Sequence, residues 1–134
     1  MILYRKKIFV IEDNPSNLAI MKIMLEREGA LVAFERWGIT TLERLGKFVP
    51  VDLILTDLMF PNNVSGYELF DEIHAIPEFA SIPIAAVSAA DPSEAIAKTR
   101  DKGFTGFIPK PIELDRFAQQ VLQLINGEAV FVER

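Results

Sequence analysis

Cysteine is absent from the 134 residues. Thiol catalysis, disulfide frameworks and cysteine-ligated zinc are therefore all excluded, and a reducing compartment suits such a chain. Histidine occurs once, at His74, so a multi-histidine metal site is excluded as well, and this residue is expected to be exposed on a helix. Basic charge is scarce. Fourteen Lys and Arg face 19 Asp and Glu, for a formal net charge of −5, and the densest basic run is only Arg5-Lys6-Lys7 at the entrance to an apolar strand. Such a surface repels a phosphate backbone, so no direct nucleic-acid binding is expected. No apolar run approaches the ~20 residues of a membrane span. Met1-Ile2-Leu3-Tyr4 is too short, and on the wrong side of the basic residues, to be a signal peptide. The expectation is a soluble, cytoplasmic protein without membrane contact.

Half of the chain is apolar and a quarter charged, which at about 150 residues per domain predicts one globular core. Short β-branched apolar runs alternate with longer segments of helical spacing, the pattern of βα units around a parallel sheet. The first run, Lys7 to Ile11, does not alternate, as befits a strand covered on both faces. Asn14-Pro15 then offers an N-cap and a proline for the first turn of a helix reaching Gly29. Further strands are predicted at Leu31–Phe34, Leu53–Thr56, Pro83–Ser88 and Phe104–Pro109. Helices are predicted at Ile39–Phe48, Gly66–Ala75, from a capping box at Asp91–Glu94 to Gly103, and from Leu114 to Ile125. The fold class is thus α/β, a doubly wound five-stranded parallel sheet with helices on both faces. The chain reads as a single domain over 1–134, with a core at about 7–126. The extension 127–134 either packs on the body or forms a partner-binding strand.

In a doubly wound sheet the ligand site lies at the carboxyl ends of the strands. Those positions are polar here: Glu12 and Asp13 follow the first strand, Asp57 the third, Ser88 the fourth and Lys110 the fifth. Each has an ordinary explanation alone, as a turn residue, a solvated pair, a satisfied hydroxyl or a surface cation. Their joint occurrence at four strand ends does not. Crowded carboxylates repel unless a cation lies between them, and Mg2+, which prefers oxygen ligands and keeps positions open for water and phosphate, meets that need. An aspartate beside such an ion and a lysine can act as a nucleophile toward a phosphoryl group. Lys110 and Ser88 would each contact a phosphoryl oxygen.

Glu12-Asp13 in Val10-Ile11-Glu12-Asp13-Asn14, Leu55-Thr56-Asp57 followed by Pro61 and Gly66, Val87-Ser88-Ala89 and Lys110-Pro111 together resemble the receiver domain of two-component response regulators, over about Lys7 to Ile125. The resemblance implies a flavodoxin-like strand order 2-1-3-4-5 and Asp57 as the acceptor of a phosphoryl group from a phosphohistidine on a sensor kinase or phosphotransfer protein. It further implies that Asp13 ligates Mg2+ directly, Glu12 through water and Met59 through its backbone carbonyl, with Asp57 completing the protein ligands. Ser88 matches the switch hydroxyl and Phe107 the switch aromatic, although a buried aromatic that merely fills space fits Phe107 equally well. The Lys110-Pro111 bond is expected to be cis. Movement of Ala89 to Asp91 and Phe107 would alter the face formed by the fourth helix, fifth strand and last helix, where a downstream protein binds. A homodimer is compatible. Kinase docking is expected near Asn14 to Leu18 and the loops around Asp57 and Lys110.

Two departures from the family pattern stand out. The stretch Pro61-Asn62-Asn63-Val64-Ser65-Gly66 is one residue longer than the common spacing. Met59 and Ala90 replace the polar side chains that orient hydrolytic water in relatives, which predicts slow self-dephosphorylation. A haloacid-dehalogenase-type phosphatase would need a second acid where Met59 stands, and no nucleotide-binding glycine loop follows the first strand. A receiver-like interaction module that is not phosphorylated is the remaining alternative, although such modules usually lose residues that this chain retains.

Overall fold

The structure is a computed structural model that describes every residue except Trp37, Ile39 and Arg134. Among the described residues six parallel strands form one sheet in the order β2-β1-β3-β4-β5-β6: β1 (Lys7–Ile11), β2 (Leu31–Glu35), β3 (Leu53–Thr56), β4 (Ile84–Ser88), β5 (Gly106–Pro109) and β6 (Val130–Phe131). Five helices connect them: α1 (Pro15–Glu26), α2 (Thr41–Phe48), α3 (Gly66–His74), α4 (Pro92–Lys102) and α5 (Phe117–Ile125). The α/β doubly wound architecture and the order of the first five strands agree with the sequence reading. The count of five strands is corrected to six, because the segment after α5 pairs with β5 through main-chain bonds that leave no periodic signal in two residues.

The central strands are apolar except at their ends, at Lys7, Thr56 and Ser88, because both faces are covered. Met21, Met24 and Leu25 of α1 and Phe117, Val121 and Leu124 of α5 pack on Val10, Leu55, Ala85, Val87 and Ile108. On the other side Leu45 of α2, Leu69, Phe70 and Ile73 of α3 and Ala95 of α4 meet Phe9, Ile11, Ile54, Ala86 and Phe107. Each fully buried Phe, Leu or Ile contributes roughly 1.5–3 kcal/mol of transfer free energy.

Local signals account for most helix ends. Asn14 accepts a hydrogen bond from Asn17 N–H at 3.0 Å with Pro15 in the first turn, and Asp91 accepts one from Ser93 N–H at 3.1 Å ahead of Pro92. Gly103, at φ +114, closes α4 in the left-handed region. α5 begins at Phe117 rather than at Leu114, which is exposed, because residues 113–116 make a turn that presents Leu114 to solvent. α2 begins at Thr41, and the predicted start at Ile39 lies outside the described residues. His74, expected to be exposed, is half-buried, its ring 4.1 Å from that of Phe70.

Candidate functional site

The strand order reverses between β1 and β3, and Ile11 pairs in register with Thr56. Glu12, Asp13 and Asp57 therefore leave adjacent strands at the same carboxyl edge, where a crevice opens. Lys110 reaches it from the end of β5, immediately before the cis Lys110-Pro111 bond. Its ammonium lies 2.8 Å from Asp57 Oδ2 and 2.7 Å from Glu12 Oε1.

This pairing is well shielded. Glu12 is only 2% exposed, while the side chains of Asp57 and Lys110 each retain 12%, so solvent reaches the aspartate and the amine but hardly the glutamate. Burial lowers the pKa of Lys110. The close contacts and negative charges of Asp57 and Glu12 outweigh that effect, and the ammonium is held above the ordinary lysine range. The second oxygen of Asp57 is fixed by backbone: Leu58 N–H donates to Oδ1 at 2.6 Å and Met59 N–H at 3.4 Å. Asn14 N–H donates to Glu12 Oε2 at 3.0 Å, whereas Glu12 Oε1 is approached by the lysine out of line and accepts no well-formed hydrogen bond.

The longer loop after Asp57 is a small hairpin. Phe60 N–H donates to Val64 O at 2.9 Å and Gly66 N–H to Leu58 O at 2.9 Å, which leaves Met59 opposite Ser65 as a pair not bonded to each other. In such a pair the N–H and C=O groups face outward, and the Met59 carbonyl accepts none of the hairpin's bonds. Asn62 and Asn63, at φ +63 and +61, form the tip, a primed turn for which asparagine is among the few suitable residues. Gly66 is required at the base, since a Cβ there would lie 2.2 Å from the Asp57 carbonyl oxygen.

Not every expected residue joins this group. Asp13 is half-buried and borders a neighbouring depression with Gly38, Leu42, Pro61 and Val64. Ser88 is 0% exposed, and its hydroxyl accepts from Ala90 N–H at 3.2 Å, so its own proton is free to be donated. Phe107, also 0% exposed, is packed in the core and pairs in register with Ala86 of β4. Among the described residues no three carboxylate or imidazole groups are gathered as a ready-made metal cluster. An ion that keeps most of its water shell needs only one or two carboxylates. The outward Met59 carbonyl and an all-oxygen donor set of Glu12, Asp13, Asp57 and Met59 fit such an ion. Sequence reasoning did not anticipate that Lys110 bridges Glu12 as well as Asp57. It also passed over Gly66's approach to the Asp57 carbonyl, for which a glycine nine residues after Asp57 was the available signal.

Comparison with known proteins agrees with this geometry. The profile of the response regulator receiver domain matches residues 8–122. The polar-differentiation response regulator DivK of Brucella ovis is 30% identical over 116 residues, covering 87% of this chain and 93% of that protein. The signal transduction histidine-protein kinase BarA of Escherichia coli is 29% identical over 123 residues, 92% of this chain, and the chain spans only 13% of that kinase's length. The crystal structure of the signal receiver domain of a histidine kinase from Syntrophus aciditrophicus superposes with a TM-score of 0.75 at 25% identity, covering 91% of each chain. No helix among the described residues is long and apolar enough to cross a membrane.

Proposed function

Because this chain belongs to the response regulator receiver-domain family, whose members are signalling proteins that interact with histidine kinases or phosphotransfer proteins, we propose that Asp57 is its phosphoacceptor. The observation that carries the assignment is the posture of that carboxylate. It stands at the end of β3 with one oxygen fixed by two backbone N–H groups and the other 2.8 Å from a charged amine that is itself held by Glu12.

A carboxylate so oriented is positioned for in-line attack on the phosphorus of a phosphohistidine. The P–O bond forms as the P–N bond breaks, and the imidazole nitrogen leaves with the bonding electrons. Lys110 moves its hydrogen bond from the carboxylate to a phosphoryl oxygen. Ser88, with its proton unspent, donates to another once its bond from Ala90 N–H is given up. Mg2+ bound by Asp13, Asp57 and the Met59 carbonyl, with Glu12 acting through water, would supply neutralisation of the phosphoryl charge. The product adds about two negative charges to the crevice. Movement of Ala89 to Asp91, with Phe107 following, transmits that change to the face made by α4, β5 and α5, where a downstream protein reads it.

The signal is long-lived on this reading. Met59, 59% exposed beside the acceptor, and Ala90 offer no side-chain hydrogen bond to an attacking water. The chain acts in the cytoplasm as a phosphorylated signalling protein with at most slow self-phosphatase activity.

Incubation with acetyl phosphate and Mg2+, followed by intact mass measurement, tests the assignment. Wild type is expected to gain one phosphoryl group and Asp57→Asn none. Equal gain in both, or none in folded wild type, contradicts it, and the second result would favour a binding-only module.

A further inference from the structure

β6 closes the sheet on the face where the downstream partner is expected. Val130 N–H donates to Thr105 O at 3.1 Å and Val132 N–H to Phe107 O at 2.8 Å, with Gly106 paired to Val130 and Phe107 to Phe131. Gly106 makes this possible, since a Cβ there would stand 2.4 Å from Val130 O and 2.7 Å from Leu124 Cδ2. The Val130 side chain is buried in the same apolar cluster as Val121 and Leu124 of α5. Phe131 is half-buried, and the Arg100 guanidinium of α4 sits 4.3 Å from its ring centroid. Beyond it, Glu133 borders a cleft of about 880 Å³ that also contains Arg100 and Lys110.

The segment has the chemistry of a bound peptide more than of a core strand. It is two residues long and hydrogen-bonded along one edge only, which places it at the low-stability end of a fold. It follows directly on the end of α5, where Gly127, at φ +87, turns the chain and Glu128 N–H still donates to Gln123 O at 3.0 Å.

We propose that the β5 edge, together with the flanking sides of α4 and α5, is a strand-addition site held in cis by β6, and that a protein partner enters it as an extended segment after displacing β6. The occupant in place defines the chemistry: main-chain bonds to Thr105 O and Phe107 O, an apolar side chain in the position of Val130, an aromatic one over Arg100, and an acidic group toward the cleft shared by Arg100 and Lys110. This deepens the signalling reading by naming the partner's chemistry, and rests on that reading only for taking this face as the output surface.

The test uses the full chain and a fluorescent peptide of sequence Glu-Ala-Val-Phe-Val-Glu. The double variant Val130→Asp/Phe131→Ala weakens the cis strand while leaving β5 intact. It is expected to bind the peptide saturably and at least about tenfold more tightly than wild type, and adding Arg100→Ala should weaken that binding again. A peptide carrying the same Asp and Ala exchanges is expected not to bind. Equal binding by wild type and variant, or no binding by a variant that keeps its circular dichroism, overturns the proposal. Phe131→Ala alone, which removes only a half-buried ring, serves if the double variant does not fold, and absence of binding by that folded chain counts equally against it. Phosphorylation by acetyl phosphate, measured on the same samples, separates failure of this inference from failure of the Asp57 assignment.

Discussion

Lys110 carries the electrostatics of the crevice. One ammonium serves two carboxylates, and Glu12, at 2% exposure, depends on it more than Asp57 does. Replacing it as Lys110→Met leaves two carboxylates facing each other. The expected loss is on the order of 2 kcal/mol, below the ~3–5 kcal/mol of a sealed ion pair because solvent reaches Asp57. The pH dependence has a definite sign. The folded-state pKa of Lys110 lies above its ordinary value of 10.5, so its stabilisation is complete below that value and fades as pH rises through the folded pKa. Urea unfolding should give a constant difference between wild type and Lys110→Met from about pH 6 to about pH 9, shrinking at higher pH. A difference that grows with alkalinity would refute this account of the pairing.

At the scale of elements, the hairpin after β3 decides how Asp57 is presented. The chain reverses at the Asn62-Asn63 turn, and Gly66 N–H returns to Leu58 O at 2.9 Å. Gly66→Ala places a methyl group against the Asp57 carbonyl oxygen. A cost of about 2 kcal/mol or more is expected in chemical denaturation, along with slower phosphorylation by acetyl phosphate. An unchanged unfolding midpoint would contradict the close approach. The same elements show what a sequence discloses. Asn14, Asp91 and Gly103 mark helix ends through bonds to residues within a few positions, so they are legible in the chain itself. The apolar spacing that includes Leu114 continues smoothly into α5, and periodicity alone cannot tell a solvent-facing turn from a first helical turn. β6 and the Met59–Ser65 pairing owe their existence to partners elsewhere in the fold, and nothing local announces them. For the site, the strand-end rule located Glu12, Asp57 and Lys110 together. It could not foresee that Ser88 spends its lone pair on Ala90 N–H or that Asp13 borders the adjoining depression, because side-chain direction is set after the backbone is in place.

For the molecule as a whole, the proposed acceptor carboxylate lies at one end of the sheet while the proposed output surface lies along its β5 edge, and β5 links the two: Lys110 follows its last residue and Phe107 lies within it, paired to β6. A switch built this way is useful only if the phosphorylated state outlasts the encounter with a partner. Purified phosphorylated protein with Mg2+ and no phosphatase should keep its phosphoryl group for hours, read by intact mass over time, and Met59→Asn should shorten that lifetime by giving water a hydrogen-bonding side chain beside the acceptor. Loss within seconds in wild type would count against a long-lived signal. The most direct check on the central claim is chemical. An acyl phosphate, unlike a phosphoserine, is reduced by borohydride to an alcohol, so treating the phosphorylated chain and sequencing its peptides by mass spectrometry should reveal homoserine at position 57 and nowhere else. Intact aspartate at 57 in a chain that has gained a phosphoryl group, or homoserine at 13 instead, would contradict the claim.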